Sequence, residues 1–248
     1  MIMGDYMKKY YCFVLKKGPL VLLLLLITAA LSMSVHFCFS ALSSQSVMAQ
    51  KKQPVIIIDA GHGGEDGGTV SSSGIIEKNI NLSIALKLEK IFSEKGFETV
   101  MTRNEDCLIY DEDCKTLRQK KASDLHNRMK IMESYNNCLF LSVHQNHFSQ
   151  SKYYGAQVFY SQNRSESEAL ARYIQESIVS SLQKENTRQI KPSGSEIFLL
   201  YNASQPAVMV ECGFLSNPGE AQKLNSEDYQ LQMAEAIYKG VSEYLIRM

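Results

Sequence analysis

The sequence has no excess of charge of either sign, no long basic tract and no cysteine spacing of the zinc-finger kind. Lysine plus arginine and aspartate plus glutamate both number 26, so the formal net charge is zero. None of the six cysteines forms a C-x-x-C pair, and there is no internal repeat or low-complexity domain. These absences argue against a nucleic-acid-binding protein.

The first fifty residues differ in composition from the rest of the chain. Residues 1–17 carry four lysines and are predicted to be a basic flank that stays in the cytoplasm. Residues 18–42 hold no charged side chain, and this length is near the roughly 20 residues that span a bilayer. We predict a signal-anchor or a cleaved signal peptide here, followed by a polar linker over 43–53. Residues 54–248 have the length of one domain, which we expect outside the cytoplasm, either anchored or secreted.

Short apolar runs alternate with stretches whose apolar residues recur at helical spacing. This alternation predicts an α/β fold, a single domain with an open mixed β-sheet flanked by helices. Helices are predicted over Asn79–Lys95 and Ser123–Asn136, and Ser165–Glu168 has the pattern of a capping box. Residues 107–122 are predicted to be an irregular surface loop. The predicted strands are Val55–Ile58, Phe97–Thr102, Cys138–Val143, Gly155–Tyr160, Glu196–Tyr201 and Ala207–Val210.

Four residues able to bind a metal or move protons stand where predicted elements begin or end. His62 follows the first apolar run, in a stretch from Gly61 to Gly74 that holds six of the fourteen glycines. His144 and Glu211 each follow a later apolar run, and Glu77 opens the first helix. Ligand sites in α/β sheets lie beyond the ends of the strands. Two histidines and carboxylates from separate elements therefore indicate a metal site.

The motifs around these residues resemble a known family, the zinc-dependent N-acetylmuramoyl-L-alanine amidases. The resemblance runs from about Pro54 to the end of the chain. It implies that His62, Glu77 and His144 bind Zn²⁺ and that Glu211 is the catalytic acid–base residue. It also implies peptidoglycan as the substrate, cut at the amide between N-acetylmuramic acid and the L-alanine of the stem peptide. The motifs are Asp59-Ala-Gly-His-Gly-Gly64, Glu77-Lys78, Ser142-Val-His144 and Val210-Glu-Cys-Gly-Phe-Leu-Ser-Asn217.

A narrower resemblance concerns the segment from Thr116 to Arg128, which leads to His144 without an inserted inhibitory domain. In this respect the sequence is similar to the spore-cortex branch of the family, which makes muramic-δ-lactam precursors during sporulation. That branch implies a location around the developing spore and an activating partner protein.

Several single residues admit two interpretations. Asp59 is either a hydrogen-bond partner of a ligand histidine or a turn-capping residue. Arg128 resembles a family arginine that braces the fold, although a solvated charge on a helix is the alternative. His147 is interpreted as a pocket-rim side chain rather than a ligand, and His126 as structural. Spacing alone does not decide whether Cys107 and Cys114 form a disulfide.

Two other functions remain compatible with the sequence. A zinc carboxypeptidase that trims stem peptides needs a cationic clamp for a terminal carboxylate, and Arg103 and Arg128 are candidates for it. A non-catalytic peptidoglycan-binding module is the second alternative, although the presence of all four site residues argues against it.

Overall fold

The structure is a computed structural model that describes residues 21–22, 25–36 and 53–247. The chain divides into two units, Met1–Lys52 and Gln53–Met248, which are described separately. In the first unit residues 25–36 are helical. No helix in the described part of the chain is long and apolar enough to cross a membrane. The predicted basic flank 1–17, the rest of the predicted apolar segment 18–42 and linker residues 43–52 lie outside the described residues.

The second unit contains a six-stranded sheet with the order β2-β1-β3-β6-β4-β5. All neighbouring strands are parallel except β4 and β6, which are antiparallel, so the sheet is mixed as predicted. The strands are β1 Val55–Ala60, β2 Thr99–Met101, β3 Cys138–Asn146, β4 Gln157–Tyr160, β5 Lys191–Pro192 and β6 Ala207–Phe214.

Helices cover both faces of this sheet, which confirms the predicted α/β class. Side chains from α1, α3 and α6 pack with one face in a large buried cluster. Side chains from α2 and α4 pack with the other face in a smaller cluster. The helices are α1 Glu77–Glu94, α2 Leu117–Glu133, α3 Ser165–Ser181, α4 Phe198–Asn202, α5 Pro218–Leu224 and α6 Glu227–Arg247.

Strand β1 shows why the run from Val55 to Ile58 is continuously apolar. Every residue of the strand is buried. Ile56 and Ile58 belong to the larger cluster, whereas Val55 and Ile57 belong to the smaller one. A strand covered by helices on both faces has no solvent-facing side, so its apolar residues do not alternate with polar ones.

Helix α2 begins six residues before the predicted start at Ser123 and takes part of the predicted loop. Thr116 accepts a hydrogen bond from the Gln119 backbone N–H at 3.3 Å, and the Gln119 side chain accepts one from the Thr116 N–H at 3.0 Å. This reciprocal pair is a capping box. The capping box predicted at Ser165–Glu168 was wrong, because the N-cap of α3 is Arg164 and Ser165 already lies inside the helix.

The strand predicted over Glu196–Tyr201 was also wrong. These residues lead into the short helix α4, in which the consecutive Leu199 and Leu200 are both buried. A short apolar run fits either a strand or a buried helical turn. The edge position beside β4 is taken instead by Lys191–Pro192, which pairs with Phe159 and Tyr160.

Candidate metal centre and active site

The parallel strands β1, β3 and β6 bring three of the four predicted site residues to one edge of the sheet. His62 follows β1 by two residues, and His144 and Glu211 lie opposite each other in the β3–β6 pair. Strands β3 and β6 continue past these two residues, to Asn146 and Phe214, whereas the predicted strands ended at Val143 and Val210. The register shifts between His144 and Asn146, as in a β-bulge, which often re-aims a side chain next to a site.

Glu77, the first residue of α1, stands between the two histidines. Its Oε1 atom lies 3.3 Å from His62 Nε2 and 3.0 Å from His144 Nδ1. The three ligand atoms all lie within 4.8 Å of one another. Ligands bonded to tetrahedral Zn²⁺ at about 2.1 Å are about 3.4 Å apart, so both measured edges fit that geometry. Two imidazoles and one carboxylate are a donor set that catalytic zinc sites use.

Two glycines let the backbone approach these ligands. A Cβ atom on Gly61 would lie 2.1 Å from His144 Nε2, and one on Gly68 would lie 2.5 Å from Glu77 Oε2. His62 itself has a φ of 61°, the left-handed conformation that residues other than glycine rarely adopt. Such strained backbone concentrates at functional sites. The glycine-rich stretch of the sequence is thus explained by close packing around the site.

Asp66 orients His62 and was not predicted from the sequence. Its Oδ2 atom lies 2.8 Å from His62 Nδ1, which leaves Nε2 facing Glu77. Its Oδ1 atom accepts a hydrogen bond from Lys121 Nζ at 3.0 Å. A carboxylate behind a ligand histidine fixes its tautomer and raises its basicity. The sequence feature that could have indicated this role is an acidic residue four positions after His62, in the same loop.

Glu77 is held by donors on every side. Its Oε2 accepts a hydrogen bond from the Thr69 N–H at 2.8 Å, and its Oε1 accepts one from the Gln145 N–H at 3.1 Å. Burial alone would raise the pKa of Glu77, but hydrogen bonds from His144 and His62 outweigh burial and hold the pKa well below its usual range. The carboxylate is therefore charged and fixed in position.

The two carboxylates give this site a strong attraction for positive charge. Burial lowers the pKa of His62, but hydrogen bonds to Asp66 and Glu77 outweigh burial and raise the pKa to about 9. A field that retains a proton on an imidazole also favours a divalent cation in its place, since ligands bind metal in their deprotonated forms. The negative potential at the site therefore fits a zinc ion, in addition to the number and type of the ligand atoms.

Glu211 lies beside this cluster without belonging to it. Its Oε2 atom is buried and has no hydrogen-bond partner among the described residues. Burial, the largest influence, raises the pKa of Glu211 to about 7, against the opposing effect of His144. Buried polar atoms are normally paired, so an unpaired carboxylate next to a metal site indicates a group kept free to exchange protons.

Asp59 has neither of the two roles that the sequence suggested. The buried carboxylate pairs with Arg128 Nη1 at 2.6 Å and accepts hydrogen bonds from Ser142 and Thr102 at 2.6 and 2.8 Å. Burial would raise the pKa of Asp59, but the charge of Arg128 and the hydrogen bond from Ser142 hold it below its usual value. Asp59 therefore anchors an arginine rather than a ligand histidine.

Arg128 and Arg103 hold the backbone that leads to His62 in place through hydrogen bonds to its carbonyl oxygens. Arg128 donates to the carbonyl oxygens of Ala60 and His62, both at 2.8 Å. Arg103 donates to the carbonyl oxygens of Ala60 at 2.8 Å and Gly61 at 3.0 Å. Both arginines are buried, so the bracing role predicted for Arg128 is confirmed. Neither guanidinium is free to clamp a substrate carboxylate.

The remaining predicted residues lie away from the ligand cluster. His147 is exposed and is not one of the three clustered ligands. His126 is exposed on α2, and its Nδ1 atom lies 2.7 Å from the Ala122 carbonyl oxygen. Cys107 and Cys114 are both free thiols.

The chain matches one family over nearly all of the second unit. The family model described as N-acetylmuramoyl-L-alanine amidase matches residues 56–243.

Three relatives illustrate the similarity. The germination-specific N-acetylmuramoyl-L-alanine amidase of Bacillus subtilis (strain 168) is 37% identical over 190 residues, which cover 77% of this chain and 79% of that protein. N-acetylmuramoyl-L-alanine amidase AmiA of Escherichia coli (strain K12) is 27% identical over 232 residues, which cover 77% of this chain and 75% of AmiA. The solved structure of the CwlD amidase from Clostridioides difficile, in complex with the GerS lipoprotein, is 42% identical with a TM-score of 0.76. That comparison covers 79% of this chain and 100% of the solved CwlD chain.

Proposed function

Because the chain belongs to the N-acetylmuramoyl-L-alanine amidase family, we propose that it is a zinc hydrolase of peptidoglycan. It cuts the amide that joins the lactyl group of N-acetylmuramic acid to the L-alanine of the stem peptide. One observation carries this proposal: three ligand atoms converge within 4.8 Å, beside a buried carboxylate oxygen of Glu211 that has no described partner.

The side chains of His62, Glu77 and His144 would hold the ion. When bound, Zn²⁺ lowers the pKa of a water to about 7 and polarises the scissile carbonyl. Glu211 takes a proton from the attacking water and returns it to the amide nitrogen as the C–N bond breaks. The products are a carboxylate on the lactyl group and a free amino group on L-alanine. Burial raises the pKa of Glu211 above its usual value, which suits the side chain for both transfers.

The structure favours this reaction over the two alternatives. The two arginines that the sequence offered as a clamp for the terminal carboxylate of a carboxypeptidase substrate, Arg103 and Arg128, are buried and bonded to backbone carbonyls, so neither can take that role. A binding module needs no buried acid, whose desolvation is costly, yet Glu211 keeps one beside the ligands.

We also infer a role in maturation of the spore cortex, where removal of stem peptides precedes muramic-δ-lactam formation. The relatives named as germination-specific and as CwlD support this role. By the same analogy the enzyme acts outside the cytoplasm, with residues 54–248 as its catalytic domain and residues 18–42 as an anchor or signal. Because the CwlD amidase was solved in complex with a lipoprotein, we infer a partner protein of that kind for this chain.

The test is product analysis of purified peptidoglycan with the zinc-loaded protein. We expect peptide-free muramic acid and intact stem peptides, both lost after chelation and restored by zinc. A Glu211→Gln variant should retain zinc and lose turnover. Release of D-alanine or shortened stems alone would show a carboxypeptidase, and equal turnover in the variant and the parent would remove Glu211 from the mechanism.

A further inference from the structure

A groove of about 330 Å³ opens next to the proposed active site. One wall is formed by Asn146, two residues after His144 on β3, and another by Gln157, which lies opposite Glu211 in the β4–β6 pair. The groove therefore begins one strand pair away from the proposed acid–base residue. None of the residues assigned to zinc lines it.

The groove is cationic. Arg188 and Lys191 supply its charges, and no carboxylate is among the described residues that line it. Neither cation takes part in an ion pair within residues 53–247. Arg188 lies over the Phe214 ring with its Cζ atom 4.9 Å from the centroid, and Lys191 Nζ lies 5.8 Å from the Phe159 centroid. Aromatic surfaces of this kind hold a guanidinium in a fixed plane.

Arg188 has hydrogen-bonding capacity that the described residues do not use. Its Nη2 donates to the side-chain oxygen of Gln157, which fixes the guanidinium over the groove. Its Nε is buried and has no hydrogen-bond partner among the described residues. A buried unpaired donor is costly. Because Nε is buried, a carboxylate in the groove would meet the Nη atoms of the guanidinium, with which it forms charge-assisted hydrogen bonds.

We propose that this groove binds the free α-carboxylate of the D-glutamyl residue, which follows L-alanine in the stem peptide, with Arg188 as its principal ligand and Lys191 as a second cation. This assignment rests on the proposed function, which places the L-alanine amide between the metal centre and Glu211. One further residue extends at most about 3.6 Å along the chain, so its carboxylate falls next to the reacting bond and within a groove that starts beside Glu211. The groove thereby selects the peptide side of the substrate.

The test measures binding rather than turnover. Three stem tripeptides are titrated calorimetrically into the zinc-loaded protein. The first has the D-glutamyl α-carboxylate and the C-terminal carboxylate both free. The second carries a carboxamide in place of the D-glutamyl α-carboxylate, and the third carries one in place of the C-terminal carboxylate. We expect the D-glutamyl carboxamide to bind about tenfold more weakly than the free acid, the scale of a charged hydrogen bond. The C-terminal amide should bind like the free acid.

Variants test whether the preference for the free D-glutamyl carboxylate depends on the groove. Arg188→Gln should reduce the tenfold ratio to near one, and Arg188→Lys should retain part of it. Arg172→Gln, at an exposed arginine of α3, makes the same change elsewhere and should leave the ratio intact.

Equal binding of acid and carboxamide by the parent, an unchanged ratio in Arg188→Gln, or no measurable binding of any peptide would overturn the proposal. Loss of binding on C-terminal amidation instead would overturn the assignment to the second residue. Because these peptides lack the scissile bond, the ratio is independent of product analysis. A protein that shows the preference but yields no peptide-free muramic acid would contradict the proposed function alone.

Discussion

Gly61 offers a direct test of how the backbone shapes the metal centre. In a Gly61→Ala variant the new methyl group would lie 2.1 Å from His144 Nε2 and 2.3 Å from Cε1. Ordinary contacts begin near about 3.5 Å, so the imidazole must move by roughly 1 Å or more. Gly61 does not have a positive φ, so alanine adds no backbone strain there. The damage should therefore fall on the position of His144.

A displacement of this size predicts a large functional effect with a smaller effect on folding. Misplacing a reacting group by about 1 Å costs about 100-fold in rate. Zinc affinity should fall at least about tenfold, the scale seen when ligand orientation is disturbed. Overpacking should reduce the free energy of unfolding by about 1–3 kcal/mol. Zinc content by mass spectrometry, amide hydrolysis and urea unfolding measure the three effects separately.

Gly67→Ala is the matched control in the same loop. Its Cβ would first meet Ile76 Cγ2, at an ordinary 3.4 Å, so zinc content and turnover should stay near those of the parent. If Gly61→Ala folds, binds zinc with the affinity of the parent and turns over normally, then close packing of Gly61 on His144 does not position the ligand.

Three further predictions concern the carboxylates. Asp66→Asn should weaken zinc binding about 10- to 100-fold, measured by competition with a chelator, because the imidazole loses its charged partner; unchanged affinity would contradict the orienting role. Arg128→Met should lower the free energy of unfolding in urea by about 3–5 kcal/mol, because it strands the buried Asp59 carboxylate. Lys130→Met, on the exposed face of the same helix, is its control and should change little. The rate of hydrolysis should fall as the pH decreases, with a midpoint at or below about pH 7. Glu211 must be deprotonated to accept a proton, and a bound cation lowers its pKa of about 7. Glu211→Asp should shift this midpoint, and an unchanged midpoint would assign the pH dependence to another group.

The sequence alone determined the strand–loop units that carry the chemistry. An apolar run followed by glycine and histidine is a local pattern, since it reports a buried strand and a backbone that must fold tightly after it. For this reason His62, His144 and Glu211 were predicted at the strand ends where the structure places them. Glu77 was predicted to open a helix, although the predicted helical span began at Asn79 and α1 begins at Glu77 itself. The Glu196–Tyr201 error marks the limit of such patterns, because a five-residue apolar run has no period long enough to separate helix from strand.

The tertiary structure alone decided which distant groups support the site. Asp59 and Arg128 are 69 residues apart, and no local periodicity reports that one neutralises the other in the core. The groove of Arg188 and Lys191 likewise forms where antiparallel β4 places Gln157 opposite Glu211. Burial and partner choice depend on how elements pack across the sheet. A charged residue has the same identity in solvent, in an ion pair and in a ligand groove, so its role is fixed only when the chain folds around it.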